Sequence, residues 1–174
     1  MANLKTLAKD TAIYGLSSII GRFLNYLLVP LYTHVITSSS GGYGVVTNLY
    51  AYTALLLVIL TYGMETTFFR FANKEGENPD KVYSTILTSV LATSLLFVGL
   101  IVAFIGPVSS ALGYAAHPSY VWAMAATVAI DAFQCIPFSY LRYKKKPLKF
   151  AALKLLFIGL NICLILAYAV IHPK

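Results

Sequence analysis

Polar side chains recur along one face of the first apolar segment of this chain. Steps of four and three residues place the following positions on one stripe of a helix: Thr11, Gly15, Ser18, Arg22, Asn25, Val29 and Tyr32. Six of these seven are small or polar, and hydrocarbon would be an unfavourable surrounding for them. We therefore expect the stripe to face a protein interface or a water-filled cavity, with Ser18, Arg22 and Asn25 as candidate substrate or cavity residues.

The fourth apolar segment repeats the pattern with the opposite charge. Its polar stripe consists of Tyr120, Met124, Thr127, Asp131, Gln134 and Phe138. Arg22 lies about 16 Å into its segment at about 1.5 Å per residue, and Asp131 lies about midway through its own. A carboxylate at that depth costs roughly 2.5 to 3.5 kcal/mol on insertion scales, so it needs a partner, water or a proton.

Two interpretations of these charges stay open. Arg22 and Asp131 could form an ion pair that holds two helices together. Alternatively, they line a pathway for an anionic substrate or a coupling ion, with Gln134 beside them. We favour the pathway over the ion pair.

Other chemistry has little support in the residue pattern. The sequence contains no CxxC, no HExxH and no GxxxxGK[ST], and Asp131 has no second acid at motif spacing. We therefore expect no enzyme activity, no metal site and no cofactor. Cys135 and Cys163 both fall inside apolar segments, so we expect packed thiols rather than a disulfide.

The composition indicates which elements position these residues. Apolar residues make up 59% of the chain and charged residues 11%, against about 45 to 50% and about 25% in soluble domains. The predicted membrane spans are residues 11–36, 44–71, 83–105, 120–141 and 150–171. The sequence thus predicts an all-α integral membrane protein with one transmembrane helical domain over residues 1–174.

Basic residues alternate between the predicted loops. Lys5, Lys9 and the segments 70–81 and 142–149 are basic, whereas 37–43 and 106–120 contain no Lys or Arg. This positive-inside pattern predicts a cytoplasmic N-terminus. The net charge of +7 lies in short loops beside apolar segments, which favours anionic phospholipids over nucleic acid as the partner. The loop 142–149 would anchor the topology by binding anionic headgroups, or it would bind a diphosphate before that group enters the membrane.

The third span is rich in hydroxyl groups, at Thr85, Thr88, Ser89, Thr93 and Ser94. Such groups most often bond to carbonyls of their own helix or pack against neighbouring residues, and we expect one or the other here. They are therefore not assigned to the candidate site.

Four segments together resemble a known family. They are GLSSIIGRFLNYLLVPLYTHVI, YGVVTNLYAY, LTYGMETTFFRFA and IDAFQCIPFSYLRYKKKPLKFAALK. The chain resembles the N-terminal portion of bacterial polysaccharide biosynthesis proteins, the oligosaccharidyl-lipid flippases of O-antigen and capsule type. These are relatives of the lipid II flippase and of the multidrug and toxin extrusion transporters.

The resemblance implies a pathway between two helical bundles, through which a polyprenyl-diphosphate-linked oligosaccharide crosses the bacterial inner membrane. By motif position, Arg22 would face the cavity, Asp131 falls in a fourth-helix acidic motif, and Arg70 ends the second helix. Arg70, Arg142, Lys144 and Lys145 are the expected cytoplasmic entrance, and H⁺ or Na⁺ the expected coupling ion.

Length sets this chain apart from such transporters, which have roughly twelve to fourteen helices in two bundles. Five spans resemble most of one six-helix bundle, so the resemblance implies an N-terminal fragment that works with a C-terminal half or with polysaccharide assembly proteins. The alternative functions are a fragment of a multidrug and toxin type, cation-coupled antiporter, or a membrane scaffold that transports nothing.

Overall fold

A computed structural model describes residues 8, 9, 11–16, 19, 20, 23 and 42–171, with the backbone alone at 42, 43, 161 and 164–171. Residues 11–16 are helical, and no strand occurs in these ranges. The further helices are α1 (Gly42–Thr61), α2 (Met64–Ala72), α3 (Pro79–Ala103), α4 (Ile105–Ala111), α5 (Pro118–Tyr143) and α6 (Pro147–Ile171). The predicted all-α class is confirmed.

Three stretches of the described chain are long and apolar enough to cross a membrane: Gly44–Ala72, Pro79–Ala103 and Pro118–Tyr143. The second has a mean hydropathy of 2.4, yet only 17% of its most apolar window is buried within the protein. Large side chains such as Leu95 and Leu96 are exposed on it. Because exposed apolar helices of this length are stable in lipid, the chain is a multi-pass membrane protein.

Proline residues begin α3, α5 and α6, and each of these helices starts before the predicted apolar span. The start of α3 shows the reason. The side chain of Asn78 accepts hydrogen bonds from the backbone N–H groups of Asp80 (2.9 Å) and Lys81 (3.4 Å), and Pro79 occupies the first helical position. The capping signals therefore lie in the polar loop, one turn outside the apolar run.

The second span, expected as one helix, is interrupted between α1 and α2. Tyr62 has φ 33° and Gly63 has φ 72°, both in the left-handed region. Glycine adopts this conformation at little cost, and a tyrosine does so less readily. The helix restarts at once, because the N–H of Thr67 donates to the carbonyl of Gly63 at 3.0 Å.

At the end of the predicted third span and in the outer loop that follows, residues 105–111 form the short helix α4. Within it Ser109 is buried, with 1% of its surface exposed, whereas Ser110 is exposed. The sequence predicted no helix over residues 106–111. The structure forms about two turns of helix there, with Ser109 buried.

Residues 47–140 form one compact unit. Its core uses one face of α5, where Val121, Val128, Ala132 and Ile136 are fully buried at steps of three to four residues or their multiples. Phe68 of α2 is also fully buried, and α2 packs against α3. The small Ala132 and the valines allow close helix approach, as is common in membranes.

Residues 141–171 belong to a second unit, together with the described residues before position 47. Phe150 is its buried centre, with 4% of its surface exposed. The ring of Tyr14 meets it edge to face, with centroids 5.1 Å apart at 82°. Arg142 and Lys154 place their cationic groups 5.9 Å and 5.5 Å from the centroid of the same ring. Cation–π attraction therefore helps to hold these side chains against Phe150.

The hydroxyl groups of the third span, now α3, mostly behave as expected. Thr88 donates to the carbonyl of Ser84 (2.8 Å), Ser89 to that of Thr85 (2.9 Å) and Thr93 to that of Ser89 (3.1 Å). For these three side chains the prediction is confirmed. Ser94 follows the packing alternative: it is buried, with 3% of its surface exposed, and its Oγ bonds to no described residue.

Candidate functional site

Asp131 and Gln134 lie one turn apart near the middle of α5. Asp131 is exposed and Gln134 is half-buried, beside a fully buried stripe that includes Val128 and Ala132. Within the described part of the chain, Asp131 makes no ion pair or hydrogen bond. A carboxylate on a candidate membrane span and next to a packed core is therefore open to a ligand or to another segment.

The neighbouring hydroxyl on this stripe is already engaged. Thr127 Oγ1 donates to the carbonyl of Ala123 at 2.9 Å, within α5 itself. Its donor is therefore used by the helix. Asp131 and Gln134 remain as the polar groups of α5 that can act on a ligand at this depth.

Ser18, Arg22 and Asn25 lie outside the described residues. The pairing of Arg22 with Asp131 thus stays a prediction, and so does the alternative of a shared pathway. The described Phe23, next to Arg22 in sequence, is exposed to 60%.

Glu65 is an intramembrane carboxylate that the sequence analysis did not single out. It sits in the first turn of α2, directly after the break at Gly63, and is half-buried. The thiol of Cys135, one turn beyond Asp131 on α5, donates a hydrogen bond to Glu65 Oε2 at 3.3 Å. The sequence does contain a signal for Glu65, because an acid two residues after Gly63 stands inside an apolar segment.

Cys135 and Cys163 are both free thiols; Cys135 is half-buried, whereas Cys163 is exposed rather than packed as expected. The contact with Glu65 gives Cys135 a polar role besides packing. A thiol is a weak donor that costs little to bury, so it can contact a carboxylate without a second charge. The α2 helix N-terminus also favours a negative charge at Glu65.

An aromatic group joins the ends of three helices at one side of the 47–140 unit. The rings of Tyr83 and Tyr140 lie 4.2 Å apart between centroids, and that of Phe68 lies 6.4 Å and 6.2 Å from them. The Tyr140 hydroxyl donates to Asp80 Oδ1 at 2.7 Å. These contacts tie α5 to the start of α3 and to α2.

The expected entrance residues have different surroundings. Arg70 is exposed in the last turn of α2. Lys144 and Lys145 are exposed in the turn between α5 and α6, whereas Arg142 is half-buried against Phe150. Anionic headgroups could reach these exposed side chains, whereas Arg142 also serves packing.

The turn that presents the lysines has a defined geometry. Lys145 has φ 50°, its N–H donates to the carbonyl of Arg142 at 3.1 Å, and the N–H of Lys146 donates to that of Leu141 at 3.1 Å. This pair of bonds is a Schellman motif at the end of α5. Lys145 occupies the left-handed position that glycine usually takes, which adds strain of about 1 kcal/mol.

Glu65 and Asp131 are the acids of the candidate membrane spans Gly44–Ala72 and Pro118–Tyr143. Carboxylates such as Asp131 and Glu65 can exchange a proton or bind a monovalent cation. Nowhere in the described ranges do three His, Cys, Asp or Glu side chains meet as a metal-binding group. Such acids suit the binding and release of a proton or a monovalent cation.

Comparison with known proteins gives one clear relationship. A family model described as "Polysaccharide biosynthesis protein" matches residues 7–171, nearly the whole chain. No curated protein and no solved structure matches the chain. The matched range contains every candidate site residue.

Proposed function

This chain belongs to the polysaccharide biosynthesis protein family, and on that premise we propose that it moves a polyprenyl-diphosphate-linked oligosaccharide across the bacterial inner membrane. A role in polysaccharide biosynthesis follows from the family itself. Sugars and a diphosphate cross hydrocarbon very slowly, because their polar groups lose water without gaining partners. A membrane-embedded pathway removes that barrier.

The observation that carries this proposal is the open polar face of α5. Asp131 is exposed near the middle of a candidate membrane span, and Gln134 follows one turn later. Ionisable residues at that depth are rare and usually line substrate or ion pathways. A passage for a charged, sugar-bearing lipid is a function that fits both this face and the family.

In this proposal the cations act in two stages. Arg70, Arg142, Lys144 and Lys145 collect the diphosphate at the cytoplasmic surface. Arg22 then binds it inside the membrane, because a planar guanidinium can hold phosphate oxygens through paired hydrogen bonds. Ser18 and Asn25, on the same stripe, supply neutral hydrogen bonds.

The acid of α5 has a different role. Asp131 takes up the coupling ion, H⁺ or Na⁺, and Gln134 provides a neutral oxygen next to it. No covalent bond of the substrate is made or broken, so the protein is a transporter rather than an enzyme. Alternating access requires two bundles that rock about a midplane site, so a second helical bundle completes the pathway.

The proposal also includes an orientation. The N-terminus and the basic segments 70–81 and 142–149 face the cytoplasm, where the lipid-linked oligosaccharide is assembled and where anionic phospholipids attract Lys and Arg. The segments without basic residues face outward. The substrate therefore enters on the basic side.

Complementation in cells tests the proposal. In a strain whose surface polysaccharide depends on this protein, Arg22→Ala should abolish the polysaccharide while protein abundance stays near normal, and Arg22→Lys should restore it in part. Phe23→Leu, a change at the exposed next residue, is the control and should have no effect. Loss of the Arg22→Ala protein from the membrane would favour the structural ion pair, and normal polysaccharide with Arg22→Ala would contradict the proposed binding role.

A further inference from the structure

A groove with a volume of about 340 Å³ runs between α2 and α3. Its apolar walls include Met64 and Phe71 from α2 and Val82 and Ile86 from α3. This volume is within the range of small-molecule binding sites, about 300 to 1,000 Å³. None of the residues that line the groove is assigned to the transport pathway.

The groove changes in polarity along its length. Glu77 and Lys81 line one end, at the boundary of the membrane span, and Ser89 lines it deeper inside. From Lys81 to Ser89 the helix rises about 12 Å, at about 1.5 Å per residue. Thr67, Thr85 and Ser89 add hydroxyl groups to the lining, but those of Thr67 and Ser89 donate to carbonyls of their own helices, at 3.2 Å and 2.9 Å. A molecule with charge at one end and an apolar remainder, such as a phospholipid, matches this lining.

The mouth of the groove offers one charge of each sign. Lys81 is exposed and makes no ion pair with any residue in the described ranges. Glu77 is exposed too, and its carboxylate lies 3.8 Å from Lys74 Nζ. An exposed pair at that distance is weak, so Glu77 can accept another donor.

We propose that this groove binds one molecule of phosphatidylethanolamine, independently of the transport pathway. The phosphate lies at Lys81, the primary ammonium donates hydrogen bonds to Glu77, and one acyl chain lies along the apolar walls. Phosphatidylglycerol has no ammonium and leaves its negative charge near Glu77. Phosphatidylcholine has a quaternary ammonium, which has no hydrogen to donate.

A transmembrane helix fits this groove less well than an acyl chain does. A helix is about 10 Å wide, so a stretch of it about 12 Å long encloses roughly 900 Å³. That is more than twice the groove volume of about 340 Å³. A helix could insert only side chains, whereas one acyl chain can lie within the groove.

Native mass spectrometry of the delipidated protein titrated with each phospholipid tests the proposal. The unaltered protein should retain one phosphatidylethanolamine, with about tenfold preference over phosphatidylcholine and phosphatidylglycerol, as expected for one charge-assisted hydrogen bond. Glu77→Gln should abolish the preference, and Lys81→Gln should weaken all three lipids. The control Lys74→Gln should keep the preference, because Lys74 does not line the groove.

A second pair of variants tests the location. Thr85 lines the groove and Thr88, also exposed on α3, does not, so Thr85→Trp should abolish the retained lipid and Thr88→Trp should preserve it. If Thr85→Trp does not fold, the Glu77→Gln result still decides, because it leaves the groove walls unchanged. Equal retention of all three lipids by the unaltered protein would overturn the proposal. So would cross-linking of Ser89→Cys to another transmembrane segment, which would show that a helix fills the groove.

Discussion

The Cys135 thiol lies 3.3 Å from Oε2 of Glu65 and links the middle of α5 to the first turn of α2. The two residues are 70 positions apart in the chain. The contact holds a carboxylate in place directly after the helix break at Gly63, inside a candidate membrane span. It therefore fixes how the second half of this span meets α5.

We predict that Cys135→Ala lowers the free energy of unfolding by about 1 kcal/mol or more, because a half-buried carboxylate loses a donor. Cys135→Ser keeps a donor and should lower it less. Thermal unfolding in detergent measures both. Cys163→Ala, at an exposed thiol of α6, is the matched control and should change little. Equal losses for the Ala and Ser variants would show that the thiol acts by packing alone.

The hydrogen bond between Tyr140 and Asp80 should stabilise the end of the 47–140 unit. Tyr140→Phe removes the 2.7 Å bond to the carboxylate and keeps the ring, so we expect a loss of about 1 kcal/mol in the free energy of unfolding. Tyr83→Phe keeps the neighbouring ring and removes a hydroxyl outside this bond. If the two variants are equally destabilised in chemical unfolding, the bond to Asp80 contributes nothing.

The helix break at Gly63 should be sensitive to backbone conformation alone. A Cβ at Gly63 or at Gly99 would meet no atom within 4 Å, but Gly63 has φ +72°. Gly63→Ala should therefore lower stability by about 1 kcal/mol, whereas Gly99→Ala should raise it by up to about 1 kcal/mol. Melting temperatures of the two variants measure the difference. A stabilising effect of Gly63→Ala would mean that the break is not needed.

The all-α membrane class could be predicted from the sequence, because long apolar runs are local signals. The break at Tyr62 and Gly63 could not be predicted, since glycine is common in membrane helices and its φ depends on packing. The contact between Glu65 and Cys135 depends on two distant segments meeting. Asp131 could be identified from the sequence, because a charged residue within an apolar segment is recognised without knowledge of its contacts.

The proposed orientation predicts which positions an impermeant thiol reagent can reach. In a protein with Cys135→Ser and Cys163→Ser, Ser110→Cys should react in intact cells and Glu75→Cys only after the membrane is opened. Ser110 suits this test because it is exposed, whereas its neighbour Ser109 is buried. Reaction of Glu75→Cys in intact cells would reverse the proposed topology.

The role of Asp131 can be separated from that of a structural ion pair. If Asp131 binds the coupling ion, Asp131→Asn folds normally, loses ion-dependent transport, and is not rescued by Arg22→Gln. If it balances Arg22, Asp131→Asn costs several kcal/mol and the double change recovers stability. A double-mutant cycle on thermal stability measures this, and a coupling energy above about 1 kcal/mol would contradict the ion-binding role.

The most direct test of the account is the sidedness of the lipid-linked oligosaccharide in spheroplasts. An impermeant glycosidase applied from outside measures the fraction of this lipid that has crossed the membrane. With the unaltered protein, most of it should be digested, whereas after depletion of the protein or with Asp131→Asn at normal abundance it should stay protected. Equal digestion with and without the protein would contradict its role in translocation.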